Sequence, residues 1–349
     1  MKIRFLVEPA MFFPAILLMS SSLFAETQTL NLTLPTDNDA IFRGDGPAFY
    51  QCVERDYQGV KTTPWEGGQY GFVRDPKEIG GHIVFTRFHE GIDIRPLQRD
   101  AQGEPLDEVR AIAPGKVVHT SLAAGYSNYG KYVVIEHQWD GSSYYSLYGH
   151  LSEISVHPGE SVGRGERVAR MGHTGTGINQ IRSHLHLELN LVYSHQFNGW
   201  YSTFFPNDPN HHDIYNGLNL AGIDIAGLYL ALQKDPSMSV SKFLSNGPLF
   251  YTVAIPRSRH FELPKKYPWM LVKEAGPDTK SWRVSFLASG VPVKIEPSSN
   301  AVSEPAVVWV KNSAVDCTYL TRGEVEGRGP KAHLSDSGKR LMRLLIFPD

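Results

Sequence analysis

Leucine and polar residues alternate over residues 183–189, and this alternation limits what the surrounding chain can form. In an extended strand, alternate side chains point to opposite faces. His184, His186 and Glu188 therefore share one face, and the leucines between them share the other. If the leucines are buried in a core, the two imidazoles lie side by side in a cleft, where both could bind a metal or one could bind while the other exchanges protons. A zinc ion would need further ligands from elsewhere in the chain.

The composition is that of an ordinary globular protein. Its 349 residues are enough for two domains or one large one. The formal net charge of −2 gives no indication of a nucleic-acid partner. The 32 glycines and 23 prolines favour short strands joined by tight turns over a helical bundle.

The first 25 residues have the features of a signal peptide. A short basic region with Lys2 and Arg4 precedes a mostly apolar run over residues 11–24, and a small residue follows it. An uncleaved membrane anchor is the alternative, but Pro14 interrupts a run that is already short for a membrane span. We therefore expect an exported protein, periplasmic or otherwise in the cell envelope or outside the cell, with no stable membrane span after signal removal.

Two cysteines, Cys52 and Cys317, are compatible with one disulfide bond in an exported chain. Such a bond would tie the two ends of the mature protein together. Because nothing in the sequence brings the two residues close in space, two separate thiols are the preferred interpretation.

Changes in pattern divide the rest of the chain into three parts. Residues 26–80 form a lead segment with few periodic runs, interpreted as an ordered arm on the main domain or, alternatively, as a wall or plug of a substrate groove. Residues 81–195 alternate β-branched runs with turn signals and predict one β-rich domain. Residues 196–349 predict an α+β accessory region, helical first, with apolar residues at helical spacing over 217–232, and then rich in strands.

Two further motifs offer the groups that the opening strand lacks. His89 and Asp93 stand four residues apart, and Gly91 between them allows a tight local path. His150 lies just beyond the end of the strand-like run over residues 144–148. One carboxylate and two imidazoles make a three-ligand zinc site that leaves the fourth position to water, the arrangement of catalytic rather than structural zinc.

The sequences HEGID, YGHL and HLHLEL, in this order, resemble the lysostaphin-type (LytM-type) zinc peptidases, which cut the peptides of peptidoglycan. The stretches 112–118, 129–137 and 162–177 also resemble that family's strands and turns. The resemblance covers roughly residues 85–192 and excludes the lead segment and the tail. It implies a mainly β fold, with a LytM-like antiparallel β-sheet peptidase domain between an N-terminal arm and a C-terminal α+β accessory domain.

The resemblance also implies a role for each motif residue. His89, Asp93 and His186 would bind one zinc ion per chain, and His150 and His184 would be the two catalytic histidines. One of these would take a proton from the attacking water, and the other would stabilise the oxyanion. A metal on the neighbouring His186 disfavours charge on His184, which favours His184 as the base.

Three features near the expected groove stay open. Glu188 either orients an imidazole or is a polar residue at the cleft edge. The segment from His89 to Asp93 is called the metal loop here, and residues 97–108 form a polar insertion after it. Arg182-Ser183 stands where the family more often has Gly-Pro. Because both departures lie near the groove, we expect them to affect substrate preference.

The leading functional hypothesis is a secreted or periplasmic zinc endopeptidase that hydrolyses peptide bonds of peptidoglycan, in cross-links or stem peptides, by metal-activated water. The alternative is a non-catalytic cell-wall binding or amidase-activating protein on the same fold. Degenerate members of that kind lack some metal or catalytic residues, whereas all five stand in this sequence. A lipoyl-like carrier, suggested by the turn-rich residues 157–172, would need an exposed lysine at a hairpin tip, and none is convincing there.

Overall fold

The structure, a computed structural model, describes residues 30–348. The predicted signal peptide lies outside these residues. The fold is mainly β, with 35% strand and 21% helix, and its sheets are antiparallel as predicted. None of the described helices is long and apolar enough to cross a membrane.

The lead segment and the first residues of the next part form one short α-helix and two hairpins. Their elements are α1 (Gly46–Phe49), β1 (Arg55–Tyr57), β2 (Val60–Thr62), β3 (Gly71–Ile79) and β4 (His82–His89). Strand β1 pairs with β2, and β3 pairs with β4. Phe49 and Tyr50 are buried in the main core, and Trp65 packs against it. The expected boundary between residues 80 and 81 therefore falls at the turn of a hairpin, and β4 leads directly into the metal loop.

A seven-stranded sheet forms the centre of the molecule. The strands that follow β4 are β5 (Ile92–Ile94), β6 (Glu108–Arg110), β7 (Gly115–Ser121), β8 (Tyr132–Trp139), β9 (Ser142–Gly149), β10 (Leu151–Ile154), β11 (Ser161–Val162), β12 (Arg167–Met171), β13 (Leu185–Val192) and β14 (Leu220–Ile223). The order of the large sheet is β11-β7-β8-β9-β13-β14, with β5 also paired to β13. Strands β10, β12 and β6 form a smaller sheet.

Strand β13 contains the alternating stretch from Leu185 onwards, with His184 just before it, and is an interior strand of this sheet. One of its edges pairs with β9, and the other pairs with β5 at its start and with β14 at its end. Its leucines are fully buried in the main hydrophobic core. The polar side chains point to the opposite face, as the period of two predicts, but they too are buried.

The C-terminal region adds helices on the outside and a second sheet. Its further elements are α2 (Phe197–Phe204), α3 (Ile225–Lys234), α4 (Val240–Ser245), β15 (Leu249–Pro256), α5 (Leu263–Lys266), β16 (Ser281–Leu287), β17 (Pro292–Ser298), β18 (Ala306–Val310), β19 (Val325–Glu326), β20 (His333–Leu334) and α6 (Asp336–Ile346). Strands β17, β16, β15 and β18 form a four-stranded sheet. Side chains of this sheet belong to the same hydrophobic core as β13.

The helical pattern over residues 217–232 was only partly right. Residues 220–223 form β14, and the helix begins at Ile225. Asp224 caps that helix by accepting a hydrogen bond from the backbone N–H of Gly227. Pairing with β13 outweighs the helical periodicity of the first residues, because tertiary contacts override local preference.

Both cysteines are free thiols, with Cys317 buried and Cys52 partly exposed. The structure therefore agrees with two separate thiols rather than a bridge.

Candidate metal centre

The pairing of β5 with β13 brings the metal loop onto the alternating strand. Asp93 lies directly opposite His186 in the register, and Gly149, which precedes His150, faces His186 from the other side. The loop passes so close to β13 that a Cβ atom on Gly91 would lie 2.3 Å from the carbonyl oxygen of Leu187. Only glycine fits there, so the tight path expected from the sequence has a steric cause.

His89, Asp93 and His186 form a buried cluster suited to a metal ion. Asp93 Oδ1 lies 3.1 Å from His89 Nε2 and 3.0 Å from His186 Nδ1. The two imidazole nitrogens are 3.2 Å apart. A tetrahedral site with bonds of about 2.0–2.1 Å has edges of roughly 3.3 Å, so this triangle has nearly the size that zinc requires.

The outward nitrogens of His89 and His186 each face a fixed acceptor. His89 Nδ1 lies 2.7 Å from the backbone oxygen of Gln69, and His186 Nε2 lies 2.8 Å from Glu188 Oε1. Each outward nitrogen therefore holds a proton, which leaves the inward nitrogen as a lone pair. Lone pairs from three acceptors then converge on one point, and only a proton or a cation there can prevent their repulsion. The donor set thus fits zinc.

Glu188 belongs to this arrangement and not to the edge of the cleft. Its side chain is 1% exposed. Besides contacting His186, its carboxylate accepts hydrogen bonds of 2.8 Å from the hydroxyl of Tyr129 and from the amide of Asn190. These contacts hold the carboxylate in the position from which it orients the imidazole.

His150 and His184 lie on the same centre, with their ring centroids 4.6 Å apart. His150 Nδ1 donates to the backbone oxygen of Thr174 at 2.8 Å, and His184 Nδ1 donates to that of Arg182 at 2.7 Å. Within the described residues, His150 Nε2 has no hydrogen-bond partner, whereas His184 Nε2 lies 3.4 Å from Asp93 Oδ1. His150 has a φ of +61°, a left-handed conformation that is uncommon for residues other than glycine and is often found at functional sites.

The electrostatics differ among these buried groups. Burial raises the pKa of Asp93, but His89, His184 and Arg74 outweigh it and hold that pKa well below its usual range. Burial, together with the neighbouring histidines, lowers the pKa of His150 well below its usual range. His150 is therefore neutral near pH 7 and able to accept a proton.

His186 behaves in the opposite way. Burial lowers its pKa, but hydrogen bonds with Asp93 and Glu188 on its two sides outweigh burial and raise the pKa to about 10. Without metal, the proton that the centre requires resides on His186. Metal binding would displace that proton, as is usual for histidine ligands.

Two contacts from the lead segment were missed by sequence reasoning. The backbone oxygen of Gln69 holds His89, and Arg74 Nη2 donates to Asp93 Oδ2 at 2.7 Å. Both residues lie outside the stretch with family resemblance, and neither belongs to a motif. No signal in the sequence would have identified them.

The polar insertion 97–108 packs on the loop that leads into β13. Arg99 Nη1 donates to the backbone oxygens of Gln180 and Gly103, each at 2.8 Å. Glu104 accepts a hydrogen bond of 2.6 Å from the side chain of Gln180. The insertion thus holds the segment that precedes His184.

The C-terminal region contacts the metal loop from another side. Arg322 Nη2 lies 3.1 Å from Glu90 Oε1, and its guanidinium lies over the ring of Phe88 at 5.3 Å. The carboxylate of Glu90, the other acidic residue of the metal loop, is thus paired with Arg322 and lies outside the His89–Asp93–His186 cluster.

Residues 87–198 match peptidase family M23. Lipoprotein NlpD of Yersinia enterocolitica is 34% identical over 88 residues, which cover 25% of this chain and 84% of that protein. Peptidoglycan DD-endopeptidase ShyA of Vibrio cholerae is 47% identical over 60 residues, which cover 17% of this chain and 13% of that protein. The catalytic domain of the antimicrobial peptidase lysostaphin from Staphylococcus simulans is 28% identical, with coverage of 35% and 75% and a TM-score of 0.25. The chain spans about a third or less of the length of the first curated relatives that it matches.

Proposed function

The chain belongs to peptidase family M23, and from this membership we propose that it is a zinc endopeptidase that hydrolyses peptide bonds of peptidoglycan. The substrate class follows from the name of the Vibrio cholerae relative, a peptidoglycan endopeptidase. The observation that supports the proposal best is the convergence of three lone pairs, from His89, Asp93 and His186, on one buried point. Such a centre needs a proton or a cation, and two further histidines, His150 and His184, lie beside it.

In this proposal, His89, Asp93 and His186 hold the zinc ion. When bound, zinc polarises the scissile carbonyl and lowers the pKa of a water molecule. Glu188 and the backbone oxygen of Gln69 hold the two imidazole ligands in the required tautomer. The metal ligands are therefore oriented before substrate arrives.

His150 and His184 divide the proton transfer. The lowered pKa of His150 suits it to accept a proton from the attacking water and pass it to the leaving amine. His184, whose Nε2 is 3.4 Å from Asp93 Oδ1, would donate a hydrogen bond from Nε2 to the oxyanion when both of its ring nitrogens carry a proton. This division differs from the sequence-based expectation, which favoured His184 as the base.

We place the protein outside the cytoplasm, in the cell envelope or beyond it. The proposed substrate lies there, the first 25 residues resemble a leader, and one relative is named a lipoprotein.

Purified sacculi test the proposal directly. The protein and its His186→Ala variant would be assayed for zinc by elemental analysis and for released fragments by mass spectrometry, with His157→Ala as a control at an exposed histidine. The wild type and the control should each bind one zinc ion and release peptides, and His186→Ala should do neither while keeping its circular dichroism spectrum. Bound zinc without peptide-bond cleavage, or cleavage of glycan alone, would contradict the peptidase and favour a binding or amidase-activating protein.

A further inference from the structure

The two oxygens of Asp93 have separate partners. Oδ1 faces His89 and His186 at 3.1 and 3.0 Å, whereas Oδ2 accepts a hydrogen bond of 2.7 Å from Arg74 Nη2. The carboxylate is 4% exposed, and the arginine side chain is 20% exposed. A charge-assisted hydrogen bond of this length in a largely dry environment is among the stronger side-chain contacts.

A β-bulge places Arg74 at this position. The pairing of β3 with β4 passes from Phe72 opposite Phe88 to Arg74 opposite Arg87, so Val73 is an extra residue. Residues directly opposite in an antiparallel pair share a face, and Arg87 shares its face with the histidine ligand two residues later. Without the bulge, Val73 would take this place and Arg74 would turn to the other face.

A second hydrogen bond fixes the direction of the guanidinium. Arg74 Nε donates to the backbone oxygen of Gly67 at 2.8 Å. Gly67 is itself tightly packed, since a Cβ atom added to it would lie 2.8 Å from the Cβ of Val53. The planar guanidinium is thus anchored to the lead segment at one side and holds Asp93 at the other.

We propose that Arg74 is a positioning residue that reserves Oδ2 and so limits Asp93 to one metal-ligating oxygen. A carboxylate can bind a metal through one oxygen or two. A second oxygen on the metal would fill a coordination position, whereas a catalytic zinc site needs an open one. The stretch that matches the family begins at residue 87. Arg74 therefore acts on Asp93 from the lead segment, outside the matched stretch. The inference rests on the proposed function, since it concerns the metal that the site would hold.

Cobalt(II) absorption tests this inference without any assay of activity. The intensity of the visible cobalt bands falls as the coordination number rises. The full-length protein would be loaded with cobalt and compared with Arg74→Met, with Arg74→Lys, which keeps a cation near Oδ2, and with Arg87→Met. Arg87 is the exposed arginine opposite Arg74 in the same hairpin, and its substitution is the matched control.

Arg74→Met should show weaker bands than the wild type, whereas Arg74→Lys and Arg87→Met should keep strong ones. If Arg74→Met fails to fold, Arg74→Gln replaces it, because a neutral and shorter amide cannot hold Oδ2 in the same way. Bands of wild-type intensity in the Met or Gln variant would overturn the inference and leave the proposed function intact. Failure of the wild type to bind cobalt, or equal binding by His186→Ala, would overturn both.

Discussion

The buried carboxylate of Glu188 should contribute separately to folding stability and to metal affinity, and two substitutions distinguish these contributions. Three donors converge on it, each at 2.8 Å: His186 Nε2, the Tyr129 hydroxyl and the Asn190 amide. Two of these donors share Oε1, and the third binds Oε2. Removing the carboxylate therefore affects three buried groups at once.

Glu188→Ala leaves all three donors without an acceptor. A buried polar group that loses its partner costs about 1–3 kcal/mol. We take about 1 kcal/mol for each donor, because water can enter the space that the side chain leaves. The free energy of unfolding of the metal-free protein should then fall by about 3 kcal/mol.

Glu188→Gln should keep most of this stability but lose metal affinity. The amide oxygen can accept from His186 and Tyr129. The new N–H group can donate to the Oδ1 atom of Asn190, which has no hydrogen-bond partner in the described chain, once the Asn190 amide turns over. The loss of unfolding free energy should be about 1 kcal/mol or less. Without the negative charge, His186 is a weaker ligand, and zinc affinity should fall roughly tenfold, or about 1.4 kcal/mol.

Urea unfolding followed by circular dichroism measures the first effect, and competition with a chelating dye measures the second. Glu54→Ala and Glu54→Gln are matched controls at an exposed glutamate and should leave both quantities near wild type. The reasoning would be refuted if Glu188→Ala were no less stable than Glu188→Gln. It would equally fail if Glu188→Gln bound zinc as tightly as the wild type.

Two further predictions concern contacts away from the metal. Arg99→Met removes the donors that hold the backbone oxygens of Gln180 and Gly103. Amide hydrogen exchange over residues 179–183 should become faster while the zinc content stays at the wild-type level. Unchanged exchange would show that Arg99 does not hold this segment. Burial raises the pKa of Glu262, but hydrogen bonds from His195 outweigh it and lower the pKa from 4.5 to about 2. Since the folded-state pKa is depressed, the stabilisation is fully present above about pH 4.5 and is lost as the pH falls towards 2. Glu262→Gln should make the urea midpoint depend less on pH in this range. The same pH dependence in the variant and the wild type would contradict a lowered pKa of Glu262.

The local pattern predicted the strand at the centre of the site well. A period of two over residues 183–189 places the leucines on one face and both histidines on the other, whatever the partners of the strand. The start of α6 is a local feature too, because the Ser335 side chain accepts a hydrogen bond from the N–H of Gly338. Such features depend on neighbours in the sequence and can be read without the fold.

Local signals failed where distant pairing decided the structure. Residues 220–223 have the spacing of a helix but form β14, since β13 leaves an edge free for them. The sequence left open whether Glu188 orients an imidazole or lies at the cleft edge, and its burial against His186 decides for the first. Both outcomes depend on which segments cover the sheet, and periodicity does not contain that information.

Spacing along one or two strands was enough to predict the loop from His89 to Asp93, the histidine pair and the shared face of His184 and His186. What holds these side chains depends on contacts between distant parts of the chain. The backbone oxygen of Gln69 orients His89, the bulge at Val73 turns Arg74 towards Asp93, and the ring of donors makes Glu188 a partner of His186. Each of these three contacts joins groups whose approach depends on strand register and packing, and none of them is encoded in the order of nearby residues.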